Sequence, residues 1–292
     1  MAKSADLTTL PGWASLSTGS HNITIVAKAA GYKDSAPSAG VTVTKAPQEY
    51  TDCITFTGET SDFTLKATNK EWDGTVEYST DHNIWTVWDG TAVSSVGKKL
   101  YLRGSGNTTL CTNSGAQFVL SARAACSGNI QTLLEYSNPP AAVANFCYAL
   151  MFYSCTNLTT APELPATTLA RYCYQGMFNG CTSLTKAPEL PATTLAESCY
   201  ANMFSRCTSL TAAPELPATT VANFCYNNMF DRCTSLKISA TQSSSYPTVW
   251  RIPSSGTISS TATDWNTDML SGTGGTFTSN PSINTTYYGA WS

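Results

Sequence analysis

Charged residues are scarce in this sequence. Asp, Glu, Lys and Arg make up 12% of the 292 residues, which is about half the usual share. The formal net charge is −3, and no run of Lys or Arg is present, which argues against a nucleic-acid-binding protein because such proteins need a concentrated basic face. Disorder is not expected, since the chain carries 7 Trp, 14 Tyr and 10 Phe. Thr and Ser fill many polar positions, a composition typical of β-rich extracellular or virion proteins.

Histidines and long apolar runs are also scarce. The two histidines, His21 and His82, are predicted to be surface strand residues, although most acid–base and metal chemistry in proteins draws on His. No stretch approaches ~20 apolar residues, so membrane insertion is not expected. The start, MAKSADLTTLPGW, lacks the apolar core of a signal peptide, which predicts that the protein is not exported by the usual route. Common nucleotide-binding, hydrolase and metalloprotease motifs are absent, so we expect no catalytic residue, no cofactor and no metal.

The cysteines, by contrast, are abundant and regularly spaced. Eight of the eleven form pairs 8 residues apart, and the pairs recur every 26 residues. The pairs are Cys147/Cys155, Cys173/Cys181, Cys199/Cys207 and Cys225/Cys233. Tyr, Met, Phe, Thr and Leu positions are identical in all four units. A fixed period in this range predicts a solenoid of stacked repeats.

Each unit is predicted to contain a strand, a proline turn and a helix of two or three turns. In the second unit the apolar residues recur at helical spacing: Leu169, Cys173, Met177, Phe178, Cys181 and Leu184. Thr167 or Thr168 is placed to cap this helix. Two prolines in each of the first three units, Pro188 and Pro191 in the second, are expected to end strand pairing and turn the chain.

The paired cysteines are predicted to be buried free thiols. On a helix, residues 8 apart are ~12 Å from each other, and neighbouring helices pack ~8–10 Å apart. A disulfide needs Cα atoms within ~7 Å, so neither pairing fits. Zinc sites favour CxxC-type spacing, and a nucleophilic cysteine needs a His partner. The repeats contain neither feature.

Positions that change between the units are expected to face solvent and to carry any ligand contacts. The candidate ligand-facing residues are Tyr153, Gln175, Asn179, Asn202, Arg206, Asn228, Asp231 and Arg232. Three carboxylates, Glu163, Glu189 and Glu215, also recur every 26 residues. They repeat because the unit repeats, whereas an acid–base pair needs two different environments. They are therefore predicted to form a solvated ladder.

The unit LPATTLAxxCYxxMFxxCTSLTxAPE resembles the BspA-type leucine-rich repeats of gut bacteria, oral bacteria and their phages. The resemblance covers residues 127–238 and implies a right-handed solenoid with parallel strands and a surface role in adhesion or recognition. It also implies that residues 126–136 are a degenerate capping unit, which places the array at 126–238. An insertion relative to the commoner, shorter repeat lengthens the helix. The resemblance implies no catalytic residues.

The segment before the array, residues 49–125, is predicted to be a β-sandwich domain. Short runs rich in Thr, Val, Tyr and Trp alternate with turn signals: CITFTG, FTLKAT, GTVEYST, IWTVWD, KLYLRG and AQFVLSA. The arrangement resembles the small β domain that often precedes such arrays. Its aromatic residues suggest either a sugar-stacking platform or part of the core: Trp72, Trp85, Trp88 and Tyr101.

The two ends of the chain are predicted to be β-rich. Residues 1–48 resemble the C-terminal half of a bacterial Ig-like domain, with strands in HNITIVAKAA and AGVTVTKA. Half a sandwich leaves an open edge and an uncovered apolar face. We therefore expect this segment to be held in place by contact with the neighbouring domain, with another copy or with a larger assembly. Residues 239–292 are expected to cap the solenoid.

The predicted fold class is mainly β with an α/β solenoid. The favoured function is non-enzymatic: a surface-displayed recognition or structural module, specifically a phage virion component such as a head fibre, tail fibre or capsid decoration. Its expected location is the virion surface. Its expected partner is a protein or glycan on a cell surface, bound through the repeat face, and it is expected to form a homo-oligomer or larger assembly anchored through its N-terminal segment. The alternatives are a fragment of a bacterial cell-surface adhesin and, less favoured, a carbohydrate-active enzyme using the β-sandwich.

Overall fold

The computed structural model describes residues 53–112, 117–258 and 262–291, together with the backbone of two strands before them. The chain divides into two compact units, Met1–Thr51 and Asp52–Ser292. In the first, strands β1 (Gly19–Ile23) and β2 (Val41–Lys45) pair antiparallel. The strands predicted in these two stretches are confirmed, while the rest of the predicted Ig-like segment lies outside the described residues.

The second unit begins with two open sheets. Their strands are β3 (Ile54–Gly58), β4 (Thr64–Ala67), β5 (Thr75–Ser79), β6 (Thr86–Val87), β7 (Val93–Ser94), β8 (Lys99–Ser105), β9 (Phe118–Leu120), β10 (Ala124–Ser127) and β11 (Leu158–Thr160). One sheet has the order β11-β10-β3-β8-β5-β6, and the other has the order β7-β4-β9. Each of the six runs predicted between residues 49 and 125 contains a strand.

Alternating burial explains why these residues form sheets that share a core. Side chains along β3 and β8 alternate between buried and partly exposed, as expected for strands with one face on a core. The two sheets contact each other through rings such as Phe56 and Phe63, 6.4 Å apart. Strand β10 pairs in parallel with β11, which lies in the first repeat. A single cluster of buried apolar residues therefore extends from these sheets through the whole array.

The predicted helix in each repeat is wrong. From Phe146 to Cys155 the N–H groups alternate between two partners. The Ala149 N–H donates to the Phe146 carbonyl three residues earlier, at 2.9 Å, and the Tyr148 N–H donates to the Cys173 carbonyl of the next unit, also at 2.9 Å. An α-helix would instead satisfy every N–H within itself, four residues back. Among the described residues the one helical segment is the 3-10 helix Ile130–Leu133, so the fold is mainly β.

A left-handed residue at every fourth position turns the chain in these segments. In the first repeat φ is 58° at Phe146, 59° at Leu150 and 55° at Ser154. Equivalent residues of the later repeats are also left-handed, including Gly176 and Gly180. We call residues 146–155, with the equivalent 172–181, 198–207 and 224–233, the turn segments. Each is a chain of tight turns whose alternate N–H groups pair with the next unit.

The identical apolar positions stack in rows through the array. Four buried tyrosines lie with ring centroids 5.5–6.1 Å apart and ring planes within 10° of parallel. Four buried phenylalanines form a second row at 5.6–5.7 Å. The rows are Tyr148, Tyr174, Tyr200 and Tyr226, and Phe152, Phe178, Phe204 and Phe230. Parallel bridges such as Thr168 to Thr194 hold other parts of the units in register.

A degenerate fifth unit, residues 264–273, continues the stack. The Tyr226 N–H donates to the Trp265 carbonyl at 2.7 Å, and the Phe230 N–H donates to the Met269 carbonyl at 2.9 Å. Asp264, Asp268 and Gly272 are again left-handed. The sequence period hides this unit because Trp265 follows Cys225 by 40 residues instead of 26. The extra residues contribute to a three-stranded sheet, β12-β14-β13, formed by β12 (Ile238–Ser239), β13 (Thr248–Ile252) and β14 (Thr285–Gly289).

The array cysteines are buried free thiols, as predicted, but the argument from helix spacing was wrong. Stacked rings only 5.5–6.1 Å apart put neighbouring units within the ~4.4–6.8 Å Cα range of a disulfide. The thiols instead act as hydrogen-bond donors. Cys181, Cys207 and Cys233 each donate to a phenylalanine carbonyl of the preceding unit, at 3.0, 3.1 and 2.9 Å. These hydrogen bonds between units require the reduced form.

Candidate functional site

The outer side of the turn segments carries the predicted ligand-facing residues. In each unit two variable residues separate the buried Cys-Tyr and Met-Phe pairs, and two more separate the Met-Phe pair from the second cysteine. Arg206 and Arg232 are exposed, and the other six candidates are half-buried. Four further variable positions, Ala149, Gly176, Ala201 and Ser205, are buried, contrary to the expectation that variable positions face solvent, because the turns hold them against the core. The ligand-binding role of the eight residues stays a prediction.

Register between the units arranges these positions in columns, which we call the turn face. One column contains Leu150, Gly176, Asn202 and Asn228, and a second contains Ser154, Gly180, Arg206 and Arg232. Neighbours within a column touch: a Cβ added at Gly180 would lie 3.2 Å from Ser154 Oγ, and one added at Gly272 would lie 3.3 Å from Arg232 Cγ. The turn face is thus one continuous surface across five units.

Two of the four candidate platform residues belong to the core, the other alternative that the sequence left open. Trp72 and Trp88 stack on each other at 5.4 Å and are only 5% and 1% exposed. Trp88 also packs edge-on against Phe118 at 5.4 Å and donates its indole N–H to the Thr91 carbonyl at 2.7 Å. Aromatic residues alternate along these strands because they fill the space between the sheets. A sugar cannot reach either indole.

The other two platform residues belong to a different, half-buried cluster. His82 lies edge-on to both, 5.6 Å from Trp85 and 4.8 Å from Tyr101. The Arg103 guanidinium covers the Trp85 ring at 4.1 Å and forms an ion pair with Glu77 at 2.7 Å. Since the cation already occupies a face of Trp85, the cluster packs on itself and does not present stacked open rings.

One thiol–imidazole contact in this cluster was missed by sequence reasoning. Cys53 Sγ lies 3.2 Å from His82 Nε2. His82 is not a strand residue as predicted; it lies with φ of 64° in the bend between β5 and β6. The signal for this bend is the Asp81-His82-Asn83 sequence, because Asp side chains accept backbone N–H bonds in turns. Asp81 Oδ1 accepts from the N–H groups of Asn83 and Ile84, both at 2.9 Å.

The array thiols are in surroundings that suppress nucleophilic chemistry. Burial raises the pKa of Cys147 and Cys173 to about 12 and that of Cys155 to about 11. Thiols react as thiolates, so these cysteines serve packing and hydrogen bonding. Within the described ranges, no group of three or more His, Cys, Asp or Glu side chains is placed to hold a metal ion. The helices found there include none long and apolar enough to cross a membrane.

A groove on another part of each unit brings together the recurring carboxylates. It is lined by residues 160–165, 186–191 and 212–217 in three successive units, and we call it the proline groove. Its two adjoining cavities have volumes of about 560 and 440 Å³. Glu163, Glu189 and Glu215 are exposed along it, in agreement with the predicted solvated ladder. That the ladder lines a concave surface was not predicted from the residue pattern.

Comparisons with known proteins identify no relative of this chain. No protein family, no curated protein and no solved structure matches it. The likeness to BspA-type repeats therefore depends on the repeat sequence alone. The turn face and the proline groove are the two surfaces on which a ligand could bind.

Proposed function

We propose that this protein is a non-enzymatic recognition or structural module displayed on a surface. Along the chain, an Ig-like segment and a β-sandwich precede a BspA-like right-handed solenoid. The observation that carries the proposal is the turn face. Four units hold identical buried residues in register, a degenerate fifth continues the stack, and the outer residues differ. Such a stack offers an extended surface whose side chains can change without disturbing the core.

The thiols favour a virion component, such as a head fibre, tail fibre or capsid decoration, over an exported adhesin. Three of the array cysteines donate hydrogen bonds that need the S–H form. Free thiols persist in the reducing cytosol, whereas exported proteins fold in oxidising compartments. A protein assembled in the cytosol of a host cell and later displayed on a particle meets this requirement.

Recognition by the turn face would combine many weak contacts. Arg206 and Arg232 lie in neighbouring units and offer guanidinium groups to acidic or hydroxylated ligands. Asn202 and Asn228 stand in the adjacent column. Linked copies of such a surface on an oligomer or particle raise overall affinity without new contacts. The N-terminal unit is the part proposed to anchor the chain in that assembly.

A binding screen on the full chain tests the proposal. Labelled protein, displayed multivalently on beads, is applied to a glycan array and to envelope proteins of gut bacteria. We expect binding that falls at least tenfold in the double variant Arg206→Ala/Arg232→Ala, since buried arginine contacts are common hot spots. Lys99→Ala, an exposed cation on β8, is the matched control and should bind as the unmodified chain does. Equal binding by the double variant contradicts the role of the turn face.

Two further measurements address assembly and catalysis. Sedimentation of the purified full chain at micromolar concentration should give a symmetric oligomer or larger particle, whereas a monomer contradicts the assembly proposal. Incubation with the glycans that bind, followed by mass spectrometry, should return them unchanged. Cleaved glycan would favour a carbohydrate-active enzyme instead.

A further inference from the structure

The proline groove exists because two prolines in each of the first three units interrupt the pairing between units. Backbone hydrogen bonds join neighbouring units before the prolines, as in Thr211 N–H to the Thr185 carbonyl, and after them, as in Thr219 N–H to the Thr193 carbonyl. Between these points, residues 187–192 form no backbone hydrogen bond with residues 213–218. Proline lacks the N–H that such a bond needs. The units separate here and leave an open channel along the stack.

The lining of the proline groove is apolar with an acidic rim. Leu164 and Leu190 form part of its floor and are 3% exposed, with prolines and alanines beside them. Glu163, Glu189 and Glu215 stand along the rim, and within the described part of the chain none of these carboxylates has an ion pair or a side-chain hydrogen bond. Lys186 is the cation among the lining residues. The rim therefore carries three negative charges against one positive charge.

Other parts of the chain close both ends of the proline groove. At one end the Glu163 N–H donates to the Gly128 carbonyl at 2.9 Å, and the Ile130 N–H donates to the Glu163 carbonyl at 3.1 Å. At the other end the Trp250 indole N–H donates to the Pro214 carbonyl at 3.1 Å. The open length is therefore three units.

We propose that the proline groove binds an extended peptide segment with basic side chains at alternate positions. The three carboxylates in successive units complement such charges. Stacked rings place the units 5.5–6.1 Å apart, and alternate residues of a β-extended chain point to the same side ~6.6 Å apart. No aromatic side chain is among the lining residues, which disfavours a sugar that binds by stacking. The inference goes beyond the proposed function, because it concerns a different segment of each unit.

The test uses the full chain and the labelled peptide acetyl-(Lys-Pro)4-amide, with binding followed by fluorescence anisotropy. We expect saturable binding that weakens as salt is raised, and no binding of (Glu-Pro)4. Glu189→Gln should lower affinity about threefold, which is typical of one exposed ion pair. The triple variant Glu163→Gln/Glu189→Gln/Glu215→Gln should lower it about thirtyfold if the pairs add. Lys186→Gln should raise affinity, because it removes the competing cation.

Controls separate this inference from a general attraction to acidic protein. Asp268→Asn removes an exposed carboxylate from the fifth unit, away from the groove lining, and should leave peptide affinity unchanged. All variants replace exposed side chains, so their thermal midpoints should match that of the unmodified chain. Unchanged affinity in the triple variant, or equal binding of (Gln-Pro)4, overturns the inference. The triple variant leaves the turn face unchanged, so the glycan and envelope-protein screen on this variant tests the proposed function alone. Failure of peptide binding is thereby distinguished from failure of the proposed function.

Discussion

Two parts of the repeat differ in how they contact neighbouring units: the turn segments and the proline segments, by which we mean the residues that line the proline groove. In the turn segment alternate N–H groups bond across to the next unit, and Tyr, Met, Phe and Cys side chains are fully buried. In the proline segment residues 187–192 and 213–218 make no such bonds, and carboxylates face an open groove. Each 26-residue repeat thus has one side that is hydrogen-bonded to its neighbours around a buried core, and another side that lacks these bonds and lines a groove. The difference shows where substitutions should be costly and where they should be tolerated.

The largest expected effect is the loss of a stacked ring from the turn segment. Phe204 is fully buried and lies 5.7 Å from both Phe178 and Phe230. Phe204→Ala should lower the free energy of unfolding by about 3–5 kcal/mol, through lost burial and the cavity left behind. Urea denaturation followed by circular dichroism measures the change. Pro188→Ala in the proline groove should change it by no more than about 0.5 kcal/mol, and equal losses at the two sites would contradict the comparison.

A smaller loss is expected from removing a thiol that joins two units. Cys207 Sγ donates to the Phe178 carbonyl at 3.1 Å, and both residues are fully buried. Cys207→Ala leaves that carbonyl without its thiol donor, which should cost about 1–3 kcal/mol. Cys207→Ser retains a donor and should recover part of the loss in the same urea titration. A serine variant less stable than the alanine variant would show that the thiol acts only by filling space.

Alkaline pH should lower the free energy of unfolding, because the thiols of the turn segments are buried. Burial raises the pKa of Cys173 and Cys225 to about 12, from an ordinary value of 9.0. The folded state therefore holds these protons more tightly than the unfolded state. The resulting stability is fully present below pH 9 and is lost as pH rises from 9 towards 12. Each such thiol should lower the free energy of unfolding by about 1.4 kcal/mol per pH unit in that window.

The measurement is a series of urea titrations between pH 7 and 10.5. The free energy of unfolding should be constant at the low end and fall above pH 9. Cys173→Ala removes one titrating group, so its decline should be shallower by the contribution of one thiol. An identical slope would show that other groups, such as the buried tyrosines, govern the alkaline transition.

Much of the fold was predictable because its signals are local. Period-two alternation located the strands between residues 53 and 122, and identity across the units located the buried positions. The helix was wrongly predicted because apolar spacings of three and four fit both a helix and a chain of four-residue turns. The strict spacing of four from Cys173 to Met177 to Cys181, with glycines at 176 and 180, is the signal that favours turns. A helix drifts from such a repeat, having 3.6 residues per turn.

The two candidate surfaces differ in how far the sequence reveals them. Variable positions between units pointed to the turn face, although Ala201 and Ser205 proved to be buried. For the proline groove, the prolines predicted an end to the pairing between units, but the residue pattern does not show that the interruption leaves a concave surface. The aromatic residues stayed open between a platform and the core because period two does not say whether a ring such as Trp88 lies inside or outside a sheet.

The smallest expected effect tests the strain within the turn segment. Ser154 is exposed and adopts φ of 55°, a conformation that costs a residue with a side chain roughly 1–2 kcal/mol. Glycine stands at the equivalent position of the second and fifth units, at Gly180 and Gly272. Ser154→Gly should raise the free energy of unfolding by about 1 kcal/mol, measured by urea denaturation. Thr156→Gly nearby, where φ is not positive, should lower it by about 0.5–1 kcal/mol. A loss in both variants would mean that the left-handed positions are not strained and that the bonds between units alone define the turn segment.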